Sequence, residues 1–231
     1  MNQFSRYAIY YAPPKIDPLA EFTASWLGWD ANLGQNVSFP KLQSLRHDIR
    51  LITNKPRKYG FHGTLKPPFS LKMGRTEEEL FVAVGDLAQS IRKFEIERIK
   101  LKILNGFIAL IPERYLASLH DMASKCVIEL DCFRANESPE KLEKRRLRGL
   151  SKKQEANLTK WGYPFVLDEF KFHLTLSDQL TQDVAKNVMS VLAAELEDII
   201  SLPLQVKELC LFGENYETGN FQILHRFPLM N

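Results

Sequence analysis

Apolar positions change period several times along the chain, and each change marks an element. Tyr7 to Ala12 is rich in β-formers and is stopped by Pro13-Pro14, so it reads as a strand. After Asp17-Pro18, the apolar residues Leu19, Phe22 and Trp26 recur three and four apart, the spacing of a short helix. Gly28 to Pro40 has the composition of a loop. Tyr59 to Leu65 reads as the next strand, and Pro67-Pro68 is expected to end it. Thr76 followed by Glu79 has the form of a capping box, and Leu80, Val84, Leu87 and Ile91 continue it, so a helix is predicted from about 76 to 91. Two β-rich runs, roughly 94–104 and 107–112, meet at Asn105-Gly106, a dipeptide suited to the positive φ of a tight hairpin turn.

The order strand, helix, hairpin then recurs. Lys171 to Leu176 is strand-like, Thr181 opens a helical period through Val184, Val188, Val191 and Leu196, and Leu204–Leu211 and Phe221–Phe227 flank a turn around Glu214-Asn215. Two similar halves are implied, as after a duplication. The expected fold is α+β and bilobal: two pseudo-symmetric lobes, each an antiparallel sheet with flanking helices, with an active-site cleft between them. Residues 1–231 then form a single domain. Between the halves lie a helix from about Tyr115 to Leu130 and a basic helical insert at about 136–162. The insert's stretch from Lys141 to Lys153 carries Lys141, Lys144, Arg145, Arg146, Arg148, Lys152 and Lys153 against one carboxylate, Glu143. Its plain reading is a solvated helix, and its sharper one an electropositive flap that draws phosphate toward the cleft.

Composition narrows the class. A chain of 231 residues that is 45% apolar can bury a sizeable core, and a net charge of +3 is too small to argue for bulk nucleic-acid binding. Cys126, Cys132 and Cys210 form no CxxC or Cys/His cluster of the zinc type, so reduced thiols are expected. No apolar stretch approaches the ~18 residues of a membrane span, and Met1-Asn-Gln-Phe-Ser-Arg-Tyr7 lacks a basic region followed by a long apolar run, so a cytoplasmic protein without a membrane partner is expected.

The chemistry lies in two of the five histidines. They share one pentamer frame, Phe61-His-Gly-Thr-Leu65 and Phe172-His-Leu-Thr-Leu176, nearly half the chain apart. Residues i and i+2 of a strand share a face, so His62 and Thr64 project together, as do His173 and Thr175, while Phe61, Leu65, Phe172, Leu174 and Leu176 turn inward. The same parity puts Lys66 and Lys171 on the polar faces, where they would add positive field. Two such faces opposed across a cleft suit a phosphodiester: one imidazole takes a proton, the other protonates the departing alkoxide, and the threonine hydroxyls hold the non-bridging oxygens. Neither strand adds the carboxylate or thiolate that metal ligation normally requires, so no metal and no cofactor is expected.

At these residues the sequence resembles the two-histidine phosphoesterase superfamily, with its paired His-x-Thr/Ser motifs on opposed lobes, and in particular a bacterial subgroup associated with phosphonate utilisation. The resemblance rests on Arg57-Lys-Tyr-Gly-Phe-His-Gly-Thr-Leu-Lys-Pro-Pro-Phe69 and on Trp161-Gly-Tyr-Pro-Phe-Val-Leu-Asp-Glu-Phe-Lys-Phe-His-Leu-Thr-Leu176, supported by Cys132-Phe-Arg-Ala135 and Arg145-Arg-Leu-Arg-Gly-Leu150. It implies that His62 and His173 are the acid/base pair and that Thr64 and Thr175 hold the phosphate. Tyr59, Lys66, Arg134 and Tyr163 fall in the matching blocks as candidate substrate contacts. Gly63 stands where alanine is frequent in such motifs. The expected partner is a small, cyclic phosphodiester or nucleotide. The competing readings are a nucleotide-binding module without turnover and an enzyme acting on RNA ends.

Overall fold

In a computed structural model, which describes residues 3–147 and 149–231, the chain is an α+β protein built on one large antiparallel sheet. The first segment supplies β1 (Phe4–Tyr11), α1 (Pro18–Leu27), a small hairpin of β2 (Trp29–Asp30) and β3 (Gln35–Asn36), and the short helices α2 (Ile49–Ile52) and α3 (Asn54–Tyr59). Next come β4 (Gly63–Phe69), α4 (Glu77–Gln89), β5 (Phe94–Ile96), β6 (Ile99–Leu104), β7 (Phe107–Pro112) and α5 (Ala117–Glu129). The basic segment forms α6 (Pro139–Arg146) and α7 (Lys152–Trp161); Arg148 lies outside the described residues. The chain closes with β8 (Leu174–Thr175), α8 (Gln182–Leu196), β9 (Leu204–Val206), β10 (Glu208–Asn215) and β11 (Phe221–Pro228).

Local chemistry sets several of these boundaries. Asp17 caps α1 by accepting from the Leu19 amide at 2.8 Å, and Gly28 ends it in the left-handed region at φ 73°. Thr76 and Glu79 exchange the two bonds of a capping box, each 3.1 Å long. Asn105 and Gly106 both have positive φ, 47° and 90°, as a tight hairpin between β6 and β7 requires.

Seven strands run in the order β11-β10-β1-β4-β8-β7-β6, and two half-sheets meet at β4 and β8 through the single pair Gly63–Leu174. The repeated strand–helix–hairpin order is present, but the hairpins are exchanged. The hairpin β6–β7 follows β4 in the chain yet pairs with β8, and β10–β11 follows β8 yet joins β1 and β4. Accordingly α4 packs on β10 and β11, and α8 on β6 and β7. Each lobe therefore mixes the two halves of the sequence.

The principal core fills the helix-covered face with Ile9, Leu65, Leu80, Val84, Cys126, Leu174, Val188 and Leu192. A smaller cluster is formed by Ala8, Tyr10, Cys210 and Phe212, on the alternate positions of β1 and β10, with Trp29 of β2 and Phe221 of β11. No helix among the described residues is long and apolar enough to cross a membrane.

The expected strands need correction. The run 94–104 splits into β5 and β6, Leu204–Leu211 splits between β9 and β10, Lys171 to Leu176 is a strand only at Leu174–Thr175, and the expected loop from Gly28 to Pro40 carries the β2–β3 hairpin. Tyr59 ends helix α3 instead of opening a strand, and β4 begins at Gly63 and runs through Pro67-Pro68 to Phe69. Both prolines are tolerated because beyond Gly63 β4 pairs only with β1, in an irregular register, so amide donors are not needed on its other side.

Gly63 carries the approach of the two half-sheets. A Cβ there would stand 2.3 Å from the Phe172 ring and 3.2 Å from a Leu174 methyl. Gly63→Ala is expected to push Phe172 aside, costing about 1–3 kcal/mol of overpacking. The double variant with Phe172→Leu should regain most of that loss in a denaturant melt, and a Gly63→Ala protein as stable as the parent would contradict this packing.

Candidate active site

The pair Gly63–Leu174 sets the register of the motif residues around it. Antiparallel pairing brings His62 opposite Thr175 and Thr64 opposite His173, with all four side chains on the face away from the principal core. The two histidines lie on the diagonal of this four-residue patch, a separation of roughly 7–8 Å by sheet geometry.

Both rings are oriented in the same way. His62 Nδ1 is 2.9 Å from the carbonyl of Gly60, and His173 Nδ1 is 2.7 Å from the carbonyl of Lys171. A carbonyl only accepts, so each Nδ1 carries the proton and donates it. Each Nε2 is thereby left for proton exchange in the cleft. His62 Nε2 lies 3.2 Å from Thr64 Oγ1, whose hydroxyl donates to the neutral ring.

Symmetry ends at the surroundings. His62 stacks on Tyr10 of β1 with ring centroids 3.8 Å apart, and Phe212 and Tyr59 flank it at 6.3 and 6.0 Å. Burial in this aromatic nest pushes its pKa down to about 4 against the pull of the Gly60 carbonyl, and the charge of His173 adds to the depression. His173 has Phe107 of β7 at 5.7 Å.

The cleft is about 760 Å³. Besides the four motif residues it is lined by Arg6, Tyr10, Lys55, Tyr59, Arg145, Tyr163 and Ser177. Arg6 is fixed at its end by a nearly buried Glu214, which accepts from Arg6 Nε at 2.6 Å, from Nη2 at 2.7 Å and from Ser5 Oγ at 2.8 Å. Lys58 completes this group at 2.8 Å. Burial alone would raise the Glu214 pKa, but these bonds hold it down to about 2. Among the described residues no three His, Cys, Asp or Glu side chains gather as a metal site.

Of the remaining residues singled out in the sequence, Tyr59 and Tyr163 line the cleft, whereas Lys66, Lys171 and Arg134 do not. Lys66 is only 2% exposed and points to the helix face, where Nζ donates to the Val127 carbonyl at 3.0 Å and pairs with Asp131 at 3.5 Å. The cause is an irregularity in β4: Ile9 pairs with Lys66 and Tyr10 with Thr64, so one extra residue, Leu65, reverses the parity beyond Thr64. Burial pushes the Lys66 ammonium down to about 8, with Asp131 opposing the shift. Arg134 forks onto the same Asp131 at 2.7 and 3.1 Å and donates to the Lys160 carbonyl at 3.1 Å. Lys171 is exposed, and its contribution is the carbonyl that orients His173. The sequence reading missed Arg6, Tyr10, Lys55 and Ser177, which carry no local motif and reach the cleft only through sheet register and helix placement.

Two curated relatives match nearly the whole chain. A ribose 1,5-bisphosphate phosphokinase PhnN of Janthinobacterium sp. (strain Marseille) is 30% identical over 234 residues, 98% of this chain and 51% of the relative. A protein of the same name from Laribacter hongkongensis (strain HLHK9) is 31% identical over 94% of this chain and 50% of its own length. The chain thus spans about half the length of the curated relatives it matches. A structure of LigT from E. coli complexed with 3′-AMP aligns over 99% of both chains at 15% identity and a TM-score of 0.45, a distant likeness. The model of the family described as a protein of unknown function, DUF1045, matches residues 64–222, from the threonine of the first motif into β11, and the chain belongs to that family.

Proposed function

We propose that the chain is a phosphoesterase that cleaves a small, cyclic phosphodiester by acid/base catalysis between His62 and His173. The observation that carries this reading is the four-residue patch fixed by the Gly63–Leu174 pair, with both Nδ1 atoms tied to carbonyls and both Nε2 atoms turned to one cleft. His62 enters neutral because its pKa lies near 4, and it accepts the proton of a water molecule attacking phosphorus. As the new P–O bond forms, one ester P–O bond breaks, and the departing alkoxide takes a proton from His173 Nε2. The hydroxyls of Thr64 and Thr175 donate to the phosphoryl oxygens as negative charge gathers there. The product is a phosphomonoester whose alcohol remains attached when the ester was cyclic, and proton exchange between His62, solvent and His173 resets the pair.

A five-membered cyclic phosphate suits this site because both the attacked phosphorus and the departing oxygen stay within one compact ring, inside the reach of two fixed imidazoles. The organic portion is inferred to be a ribose phosphate or a nucleoside. The aromatic rings of Tyr10 and Tyr59 line the cleft beside the patch, and the curated relatives, half of whose length this chain matches, bear the name of a kinase acting on a ribose bisphosphate. The phosphonate setting implied by the resemblance of the two motif blocks is compatible with such a sugar phosphate.

Activity on cyclic ribose and nucleoside phosphates is expected to persist in excess chelator. His62→Ala and His173→Ala should each lose on the order of 10²–10⁴ in kcat/KM; full activity in both variants would refute the assignment, and nucleotide binding without turnover in the parent would favour a binding module. The pH dependence follows from His62 acting in its neutral form. Protonation removes the base, so kcat/KM should fall as pH drops through about 4, well below the ~6.5 of a solvated imidazole. Measured on protein shown to be folded at each pH, an acidic limb at 6–7 would show that His62 is not this base.

A further inference from the structure

Three described cations line the cleft, and they are held very differently. Arg6 is locked by two bonds to Glu214, at 2.6 and 2.7 Å. Lys55 sits exposed on α3 at the rim. Arg145, on α6, rests against uncharged groups: its guanidinium donates to the carbonyl of Gly162 and lies 5.2 Å from the centre of the Tyr163 ring. Its nearest carboxylate, Glu137, is 3.9 Å away and is shared with Lys141 at 3.3 Å. Pairs of this kind contribute little.

The element that carries Arg145 is equally lightly held. Helix α6 buries no side chain, and Leu147 just beyond it is 80% exposed. The contacts of its basic face are ionic: Arg146 pairs with Glu155 at 2.8 Å and Lys141 with Glu137. The base of α7, by contrast, is pinned, because Arg134 is bonded to Asp131 and to the Lys160 carbonyl and stands 2.8 Å from where a Gly162 Cβ would lie. Asp131 also pairs with Lys66 of β4, so this root is tied to the strand that bears Thr64. Arg145 further forms the wall between the cleft and a small inner cavity of about 10 Å³ lined by Lys66, Arg134 and Trp161. The geometry is that of a cation on a polar-tethered tip with an anchored root.

We propose that Arg145 is a further phosphate-gripping residue of the cleft: substrate draws its guanidinium from the Gly162 carbonyl onto the phosphoryl oxygens, and α6 follows as a closing flap. The proposal rests on the phosphoesterase reading above. Attack on a diester raises the charge on the phosphoryl oxygens from one to two, and the threonine hydroxyls that meet them carry no formal charge. A guanidinium brought onto those oxygens supplies it in a bidentate form suited to phosphate. Moving α6 uncovers almost no apolar surface, so the binding of one anion suffices to shift it.

Steady-state assays on a cyclic nucleotide phosphate, with inorganic phosphate calorimetry beside them, test this. Arg145→Ala is expected to lose on the order of 10² in kcat/KM, Arg145→Lys to lose less, and added guanidinium to restore part of the alanine variant's rate. Phosphate affinity should fall at least about tenfold in Arg145→Ala, and phosphate should change the fluorescence of Trp161 in the parent but not in that variant. If His62→Ala is inactive while Arg145→Ala keeps its kcat/KM, the flap proposal is overturned and the acid/base reading stands. If both histidine variants stay active, that reading fails first, and unchanged phosphate affinity in Arg145→Ala then overturns the proposal on its own.

Discussion

One backbone pairing, Gly63 against Leu174, governs the rest of the site. It is the only register that β4 and β8 share, yet it decides which face the four motif side chains occupy and how far apart the imidazoles stand. A slip by one residue would send the imidazole and hydroxyl of one strand into the helix-covered core and bring Phe172 or Leu174 to the cleft. The pairing is protected by steric fit: the missing side chain of Gly63 leaves the space that the Phe172 ring fills. The wider sheet then supports the pair from both sides, with Tyr10 of β1 under His62 and Phe107 of β7 beside His173.

The exchange of hairpins explains why this junction is so short and yet holds. If each half of the sequence folded as its own lobe, β4 and β8 would be edge strands of two independent sheets, joined only by one pair. Instead, the chain crosses between lobes, and the core on the helix face is continuous across them, from Leu80 and Val84 of α4 to Val188 and Leu192 of α8. The Trp26 indole, donating to the Leu176 carbonyl at 2.7 Å, adds a bond from the first segment of the chain to the end of the second motif strand. Relative motion of the lobes would break that core, so the spacing of the two histidines is a property of the fold and not of a flexible hinge. The surface helix α6, by contrast, buries no side chain and is held by ion pairs and by the contacts of Arg145 with Gly162 and Tyr163.

The sequence disclosed what depends on local spacing and concealed what depends on register. The two pentamers, the i, i+2 parity of His62 with Thr64 and of His173 with Thr175, the capping box at Thr76 and the Asn105-Gly106 turn all act over a few residues and were legible. Lys66 was not, because a single irregularity at Leu65 reverses alternation and no residue there announces it. The helical state of Tyr59 was hidden by an apolar, β-rich context, since α3 is short and its formation is settled by tertiary contacts such as Arg57 donating to the Leu27 carbonyl at 2.7 Å. Arg6 and Tyr10 belong to a strand whose apolar run gave no sign of which face meets the cleft. That assignment required knowing that β1 lies between β10 and β4.

The same contrast bears on how two motifs that differ only at their central residue, Gly63 and Leu174, come to have different surroundings. In the pentamers alone His62 and His173 are equivalent, and an equivalent pair has no inherent direction for a proton. The exchanged topology breaks the equivalence, because β1 has no counterpart in the other half-sheet: His62 receives Tyr10, packed at 1% exposure against Phe212 and Phe221, while β7 offers His173 the half-buried Phe107. Desolvation disfavours the charged form of His62. A neutral ring is the condition that the proposed mechanism sets for accepting a proton, and in that mechanism His173 is the donor. On the proposed mechanism, the direction of proton transfer follows from which strand backs each histidine and not from the motifs themselves.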